Sequence, residues 1–193
     1  MIDTVHDTQE TYRQLLDSMA RPGKISELKE IEGHFLPCQQ GTFLTAMTLF
    51  DAEVSFHVVS DNGLAQPLAE ITFAIHTTAE NADYIIVPEY ATEEEILSVM
   101  ESCRIGTLSD PQQSSTWIIE QKRIGNEAEL FLTGPGIKEQ VHFQTELSES
   151  FWDARNVKVK EFPLGIDLIF SDTNRRLASI PRTTKVYRTG RDL

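Results

Sequence analysis

Apolar residues recur at helical spacing near the start of the chain. The first stripe consists of Tyr12, Leu15, Leu16 and Met19. These positions are three or four residues apart, which predicts a helix with one apolar face. Asp7 followed by Glu10 has the spacing of a capping box and predicts where this helix begins. Pro22 and Gly23 predict its end, because proline disfavours a helical residue before it and glycine permits a tight turn.

Helical and strand patterns alternate along the rest of the chain. Further helices are predicted over residues 42–50, from Pro67 to about His76, from the Thr92/Glu95 capping box to Cys103, and over residues 137–147. Strands are predicted over 53–58, 84–87, 116–119, 129–132, 165–170, 177–180 and 185–187. This alternation predicts an α/β fold with a mixed sheet flanked by helices. With no repeat or long linker between the elements, we expect residues 1–193 to form a single domain.

The charge balance makes general nucleic-acid binding an unfavourable hypothesis. The chain has 17 Lys and Arg against 30 Asp and Glu, a formal net charge of -13, whereas phosphate neutralisation needs clustered cations. From Arg175 onward, however, six basic residues stand against one acid, Asp192. Such a basic segment fits an anionic ligand or a complementary partner surface, and equally a tail that lies against its own acidic domain.

The sequence lacks the patterns of a signal peptide, a membrane-spanning segment and a metal site. Residues 1–7 lack the basic and apolar regions of a signal peptide, and no apolar run approaches the ~20 residues that span a bilayer. We therefore expect a cytoplasmic protein that does not insert in a membrane. Cys38 and Cys103 lack the paired spacing of a zinc or redox site, and the five histidines are scattered, so no metal site is predicted.

The familiar catalytic motifs are missing. There is no phosphate-binding Walker loop, no dinucleotide-binding glycine pattern, no serine nucleophile elbow and no zinc-binding His-Glu-x-x-His. Without a complete catalytic set of its own, the chain is interpreted as a subunit of a larger enzyme assembly. Arg104, close to the end of a predicted helix, is assigned a structural or interface role because a cation there complements the helix dipole.

Two segments have the chemistry of an anion site. The loop at residues 133–137 contains Gly134 and Gly136; it joins a predicted strand to a predicted helix, whose free amides would point at an anion. Turn formation alone also explains these glycines. Near the other segment, Asp167 interrupts an apolar strand. The candidate phosphate ligands there are Arg182, Thr183, Thr184 and Lys185. An ion pair between Arg182 and Asp167 is the alternative interpretation.

The segments 162–170 (FPLGIDLIF) and 177–186 (LASIPRTTKV) resemble the signature of the PhnH family, a subunit of the bacterial carbon-phosphorus lyase system for phosphonate use. Residues 12–16, 22–23, 104–107, 115–117 and 132–137 also resemble segments of that family. The resemblance therefore covers nearly the whole chain. Its carboxy-terminal part is specific, whereas the other segments are individually weak.

The resemblance implies a fold related to the large domain of pyridoxal-phosphate-dependent transferases but without the cofactor, and a homodimer when the chain is alone. It also implies partnership with the PhnG, PhnI and PhnJ subunits. With a further ATP-binding-type partner, that machinery converts ATP and an alkylphosphonate to ribose 1-phosphonate 5-triphosphate. The chain has only two cysteines, so the later radical cleavage of the carbon-phosphorus bond would belong to another subunit. The alternatives are a freestanding transferase of phosphate-bearing ligands and a protein that retains pyridoxal phosphate.

Overall fold

The computed structural model describes residues 4–31 and 36–188. Within them the helices are α1 (Thr4–Ala20), α2 (Gln40–Leu49), α3 (Ala65–Thr72), α4 (Glu93–Ser102) and α5 (Glu149–Lys158). The strands are β1 (Ser26–Glu27), β2 (Ser55–Val58), β3 (Ile75–His76), β4 (Tyr84–Val87), β5 (Thr116–Gln121), β6 (Gly125–Thr133), β7 (Val141–Gln144), β8 (Asp167–Asp172), β9 (Arg176–Ile180) and β10 (Lys185–Arg188).

Seven strands form the main sheet, in the order β1-β9-β8-β5-β4-β2-β3. The neighbours from β3 to β8 run parallel, whereas β9 is antiparallel to β8 and β1 is antiparallel to β9. In the last of these pairs Ser26 lies opposite Leu177, so an early segment of the chain meets a late one. The predicted mixed sheet is therefore confirmed.

Helices cover both faces of this sheet. Successive residues of a strand point to opposite faces, and in β5 Trp117 and Ile119 belong to one apolar cluster while Ile118 belongs to the other. The first cluster contains residues of α4 and α5, and the second contains residues of α1, α2 and α3. Strands buried on both faces explain the continuous apolar runs in the sequence.

A second, antiparallel sheet has the strand order β10-β6-β7. Leu130 and Leu132 of β6, Phe143 of β7 and Val186 of β10 are buried in the same cluster as Trp117. The rings of Phe143 and Phe170 lie 5.3 Å apart, which joins the small sheet to β8 of the large one. The two sheets therefore share one apolar core.

The predicted helix over residues 137–147 is wrong. Residues 141–144 form β7, and the helix of this region begins later, as α5. In β7 the side chain of Phe143 is fully buried, while its neighbours His142 and Gln144 are only partly buried, as is typical of a strand. The prediction instead took the preceding glycine-rich loop as the start of a helix. Ser148 caps α5 by accepting a hydrogen bond from the backbone of Phe151 at 3.2 Å.

The first helix differs from its prediction at both its start and its exposed face. It begins by Thr4, so Asp7 lies inside it instead of capping it, and the Asp7 carboxylate accepts a hydrogen bond from Lys29 at 3.2 Å. Of the predicted apolar face, Leu15 is buried, whereas Tyr12 and Leu16 are about half exposed.

The helix predicted from Pro67 to His76 is α3, which ends at Thr72. Phe73 has a left-handed backbone (φ 63°), and the chain then enters the edge strand β3. The predicted α4 is confirmed together with its capping box: Thr92 and Glu95 bond each other's backbone N–H groups. Among the described helices, none combines the length and the apolar character needed to cross a bilayer.

Candidate functional site

The turn between β9 and β10 is held at the edge of the main sheet where β8 begins. Asp167, the first residue of β8, accepts the backbone N–H of Arg182 at 2.7 Å. The Arg182 Nε donates to both Asp167 oxygens, at 3.1 and 3.2 Å, and the Nη2 of Arg182 completes an ion pair. The sequence had suggested two interpretations of this segment, a phosphate site and an ion pair between Arg182 and Asp167. The structure contains the ion pair.

Arg182 uses most of its remaining donors inside the chain. Its Nη1 donates to the carbonyl oxygen of Pro111 at 3.0 Å, and its Nη2 also bonds the hydroxyl of Ser114. The side chains of Arg182 and Asp167 are only 16% and 20% exposed. This guanidinium therefore fixes the position of the turn and adds positive charge to its surroundings.

Arg155 of α5 lies fully buried beneath the same turn. Its Nη1 donates to the carbonyl oxygen of Thr184 and its Nη2 to that of Pro181, both at 2.8 Å. Its Nε has no hydrogen-bond partner. Burial lowers the pKa of Arg155 to about 10, and the negative charge of Asp167 opposes this shift. The side chain remains a cation at neutral pH.

The turn, α5 and the segment after it enclose a cleft of about 520 Å³. Its lining residues are Pro135, Arg155, Asn156, Val159, Lys160, Phe162, Leu164, Arg182, Thr183, Thr184, Lys185, Val186 and Tyr187. Four of them are lysine or arginine, and none of these described lining residues is acidic. The cleft is therefore a positively charged concavity in a chain with a net charge of -13.

The opposite edge of the sheet, where the parallel strands end, has carboxylates in place of cations. Glu120, near the end of β5, is 5% exposed and accepts the backbone N–H groups of Gln39 at 2.6 Å and Glu89 at 3.2 Å. Burial raises the pKa of Glu120. Asp172, at the end of β8, accepts the backbone N–H of Ile124 at 3.1 Å. At this edge the chain's own amides already bind both acids.

Comparison with known proteins decides the family. The model of the family described as bacterial phosphonate metabolism protein (PhnH) matches residues 1–187. The chain belongs to the PhnH family. A relative from Rhizobium meliloti (strain 1021), the alpha-D-ribose 1-methylphosphonate 5-triphosphate synthase subunit PhnH, is 30% identical over 96% of this chain and 93% of its own length. A putative C-P lyase subunit protein, HtxG, from Stutzerimonas stutzeri is 27% identical over 94% of this chain and 87% of its own length.

Four of the six predicted ligand residues of this PhnH-family chain line the cleft. Thr183 and Lys185 are exposed beside it, whereas Thr184 is 1% exposed and its hydroxyl has no hydrogen-bond partner. Arg182 contributes its partly buried guanidinium. The basic turn and the cleft therefore coincide.

Gly134 and Gly136 have packing roles that the sequence did not reveal. A Cβ atom on Gly134 would lie 2.9 Å from the carbonyl oxygen of Thr183, and one on Gly136 would lie 2.3 Å from that of Ala20. Both residues also have positive φ angles, 136° and 83°, which favour glycine. The predicted helix-amide anion site is wrong here, because a turn and then β7 follow this loop.

Arg104 lies away from the cleft and pairs with Asp83. Asp83 also accepts the backbone N–H of Ser55 at 2.8 Å and its hydroxyl at 2.6 Å. Burial alone would raise the pKa of Asp83, but these Ser55 bonds and Arg104 outweigh it and lower that pKa. The cluster joins β2, β4 and the segment after α4. Within residues 4–31 and 36–188, no three His, Cys, Asp or Glu side chains converge as a metal site.

Sequence reasoning in this PhnH-family chain missed Arg155. An arginine is normally read as a surface residue, because it is rarely buried without a partner. One signal was present: Phe151, Trp152 and Arg155 share one helical face, which follows the capping residue Ser148. Had the sequence analysis predicted α5 at its true position, the apolar face of this helix would have indicated that Arg155 is buried in the core.

Proposed function

We propose that the chain is a subunit of the assembly that forms ribose 1-phosphonate 5-triphosphate from ATP and an alkylphosphonate. The observation that carries this proposal is the family match over residues 1–187, together with a relative that is named as a subunit of the corresponding synthase and aligns over nearly its full length. The second relative, named as a putative C-P lyase subunit, supports the same system.

In this proposal the chain works as one domain in the cytoplasm and joins PhnG, PhnI and PhnJ, with a homodimer as the form outside the assembly. Its role is to organise the catalytic subunits and to hold an anionic ligand in the cleft. Arg182, Thr183, Thr184 and Lys185 are the proposed ligand-binding residues, and Gly134 and Gly136 shape the loop behind them. Asp167 and Arg104 keep structural roles.

Reconstitution tests the assembly. The chain would be coexpressed with PhnG, PhnI and PhnJ, purified through a tag on PhnI, and assayed with the ATP-binding-type partner for triphosphate product. We expect it to copurify in a fixed ratio and product formation to fall to background when it is omitted. Folded chain that never joins the other subunits, or full activity without it, contradicts the proposal.

A freestanding transferase of phosphate-bearing ligands is the second candidate function. The size and positive charge of the cleft favour it, since about 300–1,000 Å³ is usual for a small-molecule site. Turnover of a phosphate ester by the purified chain alone would support this function. An Arg182→Ala variant that binds every ligand as the natural chain does would count against it.

We also propose that the fold is a cofactor-free relative of the large domain of pyridoxal-phosphate-dependent transferases. The run of parallel strands from β3 to β8 supports the kinship. The buried Glu120 carboxylate supports the absence of the cofactor, because it accepts the backbone N–H of Gln39, the residue that precedes α2. A helix start is a common phosphate site, and here a carboxylate occupies it. A visible absorption band after incubation with pyridoxal phosphate and dialysis would contradict this view.

A further inference from the structure

Two buried polar atoms in the wall of the cleft have no partner. They are the Nε of Arg155, which is 0% exposed, and the hydroxyl of Thr184, which is 1% exposed. The two residues are in contact, since the Nη1 of Arg155 donates to the carbonyl oxygen of Thr184 at 2.8 Å. Buried polar groups are nearly always hydrogen-bonded. Ten other buried side-chain atoms of the described residues also lack a partner, but only these two belong to residues that line the cleft. Their coincidence with the cleft favours a place for another molecule there.

The charge balance identifies that molecule as an anion. Arg155 and Arg182 bring two positive charges, and Asp167, bonded to Arg182, supplies one negative charge. Lys160 and Lys185 line the same cleft and add to the excess. Burying a guanidinium is costly unless an opposite charge compensates it. Water would satisfy the two polar atoms but would leave this excess charge in place.

The types of hydrogen-bond donor and the shape of the cleft indicate which class of anion it fits. A guanidinium N–H, a hydroxyl and lysine ammonium groups together suit an oxyanion with several oxygens, and arginine and lysine are the usual phosphate binders. The rest of the wall is apolar, with Val159, Leu164 and the 74% exposed Phe162. About 520 Å³ is more than one phosphate group fills. The apolar wall therefore faces an organic body attached to the phosphorus.

We propose that the cleft binds an organic phosphonate or phosphate ester, with its phosphorus oxyanion held by the Arg155 Nε and the Thr184 hydroxyl and its organic body against Phe162 and Leu164. The proposal rests on the proposed function for its expectation of a phosphonate. It adds a buried arginine and a hydroxyl as the groups that recognise the oxyanion.

Binding to the full purified chain tests the site, by calorimetry and by 31P line broadening. The probes are phenylphosphonate, phenyl phosphate, methylphosphonate, inorganic phosphate and benzoate. We expect the two phenyl compounds to bind one per chain, more tightly than methylphosphonate or inorganic phosphate, and to weaken as salt rises. Benzoate, a carboxylate, should bind weakest. A preference between the first two probes decides whether the ligand is a phosphonate or a phosphate ester.

Thr184→Val is the decisive variant. Valine has nearly the same shape as threonine, and the Thr184 hydroxyl that it lacks makes no hydrogen bond within the chain. A lost hydrogen bond to a charged group corresponds to about tenfold or more in affinity, so phenylphosphonate should bind at least about tenfold more weakly. The thermal midpoint should stay unchanged or rise. Thr45→Val is the matched control: Thr45 of α2 also has a buried hydroxyl without a partner but does not line the cleft. It should bind as the natural chain does.

Arg155→Lys and Lys185→Gln complete the series. The first keeps the charge but removes the Nε donor, so affinity should fall about tenfold even where the fold is retained. The second changes an exposed cation and should weaken binding only a few-fold, mainly at low salt.

Two results would overturn the proposal: a natural chain that binds none of the phosphorus probes, and a Thr184→Val variant that binds them undiminished. These outcomes are separate from the assembly test. A chain that joins PhnG, PhnI and PhnJ but binds no oxyanion refutes this site and leaves the proposed function standing. A chain that binds oxyanions through Thr184 but never joins the other subunits does the reverse.

Discussion

The two edges of the main sheet carry opposite charges, and their buried charged side chains differ in their hydrogen-bond partners. Where the parallel strands end, Glu120 and Asp172 accept hydrogen bonds from the chain's own backbone. Where β8 begins, Arg155 and Thr184 each keep a buried polar atom without a partner. Open α/β sheets usually bind ligands at the ends of their parallel strands. In this chain the buried acids at that edge are bound by backbone amides, and the positively charged cleft lies at the other edge.

A concave surface alone does not separate the two edges. A smaller cavity of about 160 Å³ lies beside Glu120, lined also by Glu89, Glu93 and Glu146. Glu120 there already accepts two backbone hydrogen bonds, so the carboxylate needs no ligand. The contrast teaches that a cavity alone does not indicate a ligand site: the cleft beside β8 combines cationic residues with unpartnered polar atoms, whereas the cavity beside Glu120 is lined by acids.

Removal of the buried guanidinium should have the largest effect on stability. Arg155→Met leaves the carbonyl oxygens of Pro181 and Thr184 without their donors. An unpaired buried polar group costs about 1–3 kcal/mol, so the free energy of unfolding should fall by about 2–4 kcal/mol in urea titrations. Arg123→Met is the control, because Arg123 is 61% exposed and should change stability by less than about 0.5 kcal/mol. Equal effects of both variants would show that Arg155 does not hold the turn.

Glu120→Gln tests the acidic edge. Glutamine has one acceptor oxygen where the carboxylate uses two, so one backbone N–H of Gln39 or Glu89 loses its partner. We expect a loss of about 1–3 kcal/mol in the free energy of unfolding.

The pH dependence of that loss has a definite sign. Burial raises the folded-state pKa of Glu120 above the ordinary glutamate value of 4.5. The protonated side chain is therefore favoured by folding, and this contribution is complete below pH 4.5 and is lost as pH rises through the raised pKa. The stability advantage of the natural chain over Glu120→Gln should therefore shrink as pH rises from 4.5 through the raised pKa. An advantage that grows with pH would mean that the backbone amides outweigh burial.

Asp167→Asn should have the smallest effect on stability and the opposite effect on binding. The variant weakens the ion pair with Arg182, and we expect a loss of about 1–2 kcal/mol in urea. It also removes the negative charge of Asp167 beside the cleft, so phenylphosphonate should bind a few-fold more tightly. Asp83→Asn is the matched control, since it breaks the Arg104 pair outside the cleft and should leave binding unchanged. Weaker binding in Asp167→Asn would mean that Asp167 matters for geometry more than for charge.

The sequence predicted the parts of this fold in which local pattern and tertiary packing agree. The buried strands β4 and β5 and the capped helix α4 are examples, because continuous apolar runs and a capping box are local signals. The prediction failed at β7, where Gly134 and Gly136 resemble the start of a helix but instead make close contacts to the distant residues Thr183 and Ala20. Contacts between distant segments leave no local trace.

The candidate site was also predicted only where its residues are close together in sequence. The turn residues Arg182, Thr184 and Lys185 stood out because they are adjacent in sequence. Arg155 and Glu120 did not, since a single charged residue in a helix or strand is normally solvated and only tertiary structure shows it to be buried. Most of their hydrogen-bond partners are backbone groups, which every sequence contains, so pairs of side-chain types gave little indication of them.

The pairing of β1 with β9 has a consequence for how the chain is made. Ser26 and Leu177 are 151 positions apart, and the hydroxyls of Ser18 and Ser179 also meet across this junction. Ribosomes add about 5–20 residues per second. For roughly 10–30 s, therefore, the completed first helix has no β9 to pack against on the nascent chain. The part of α1 that packs on β9 is therefore covered only when residues 176–180 emerge, whereas α2 can pack on α1 much earlier.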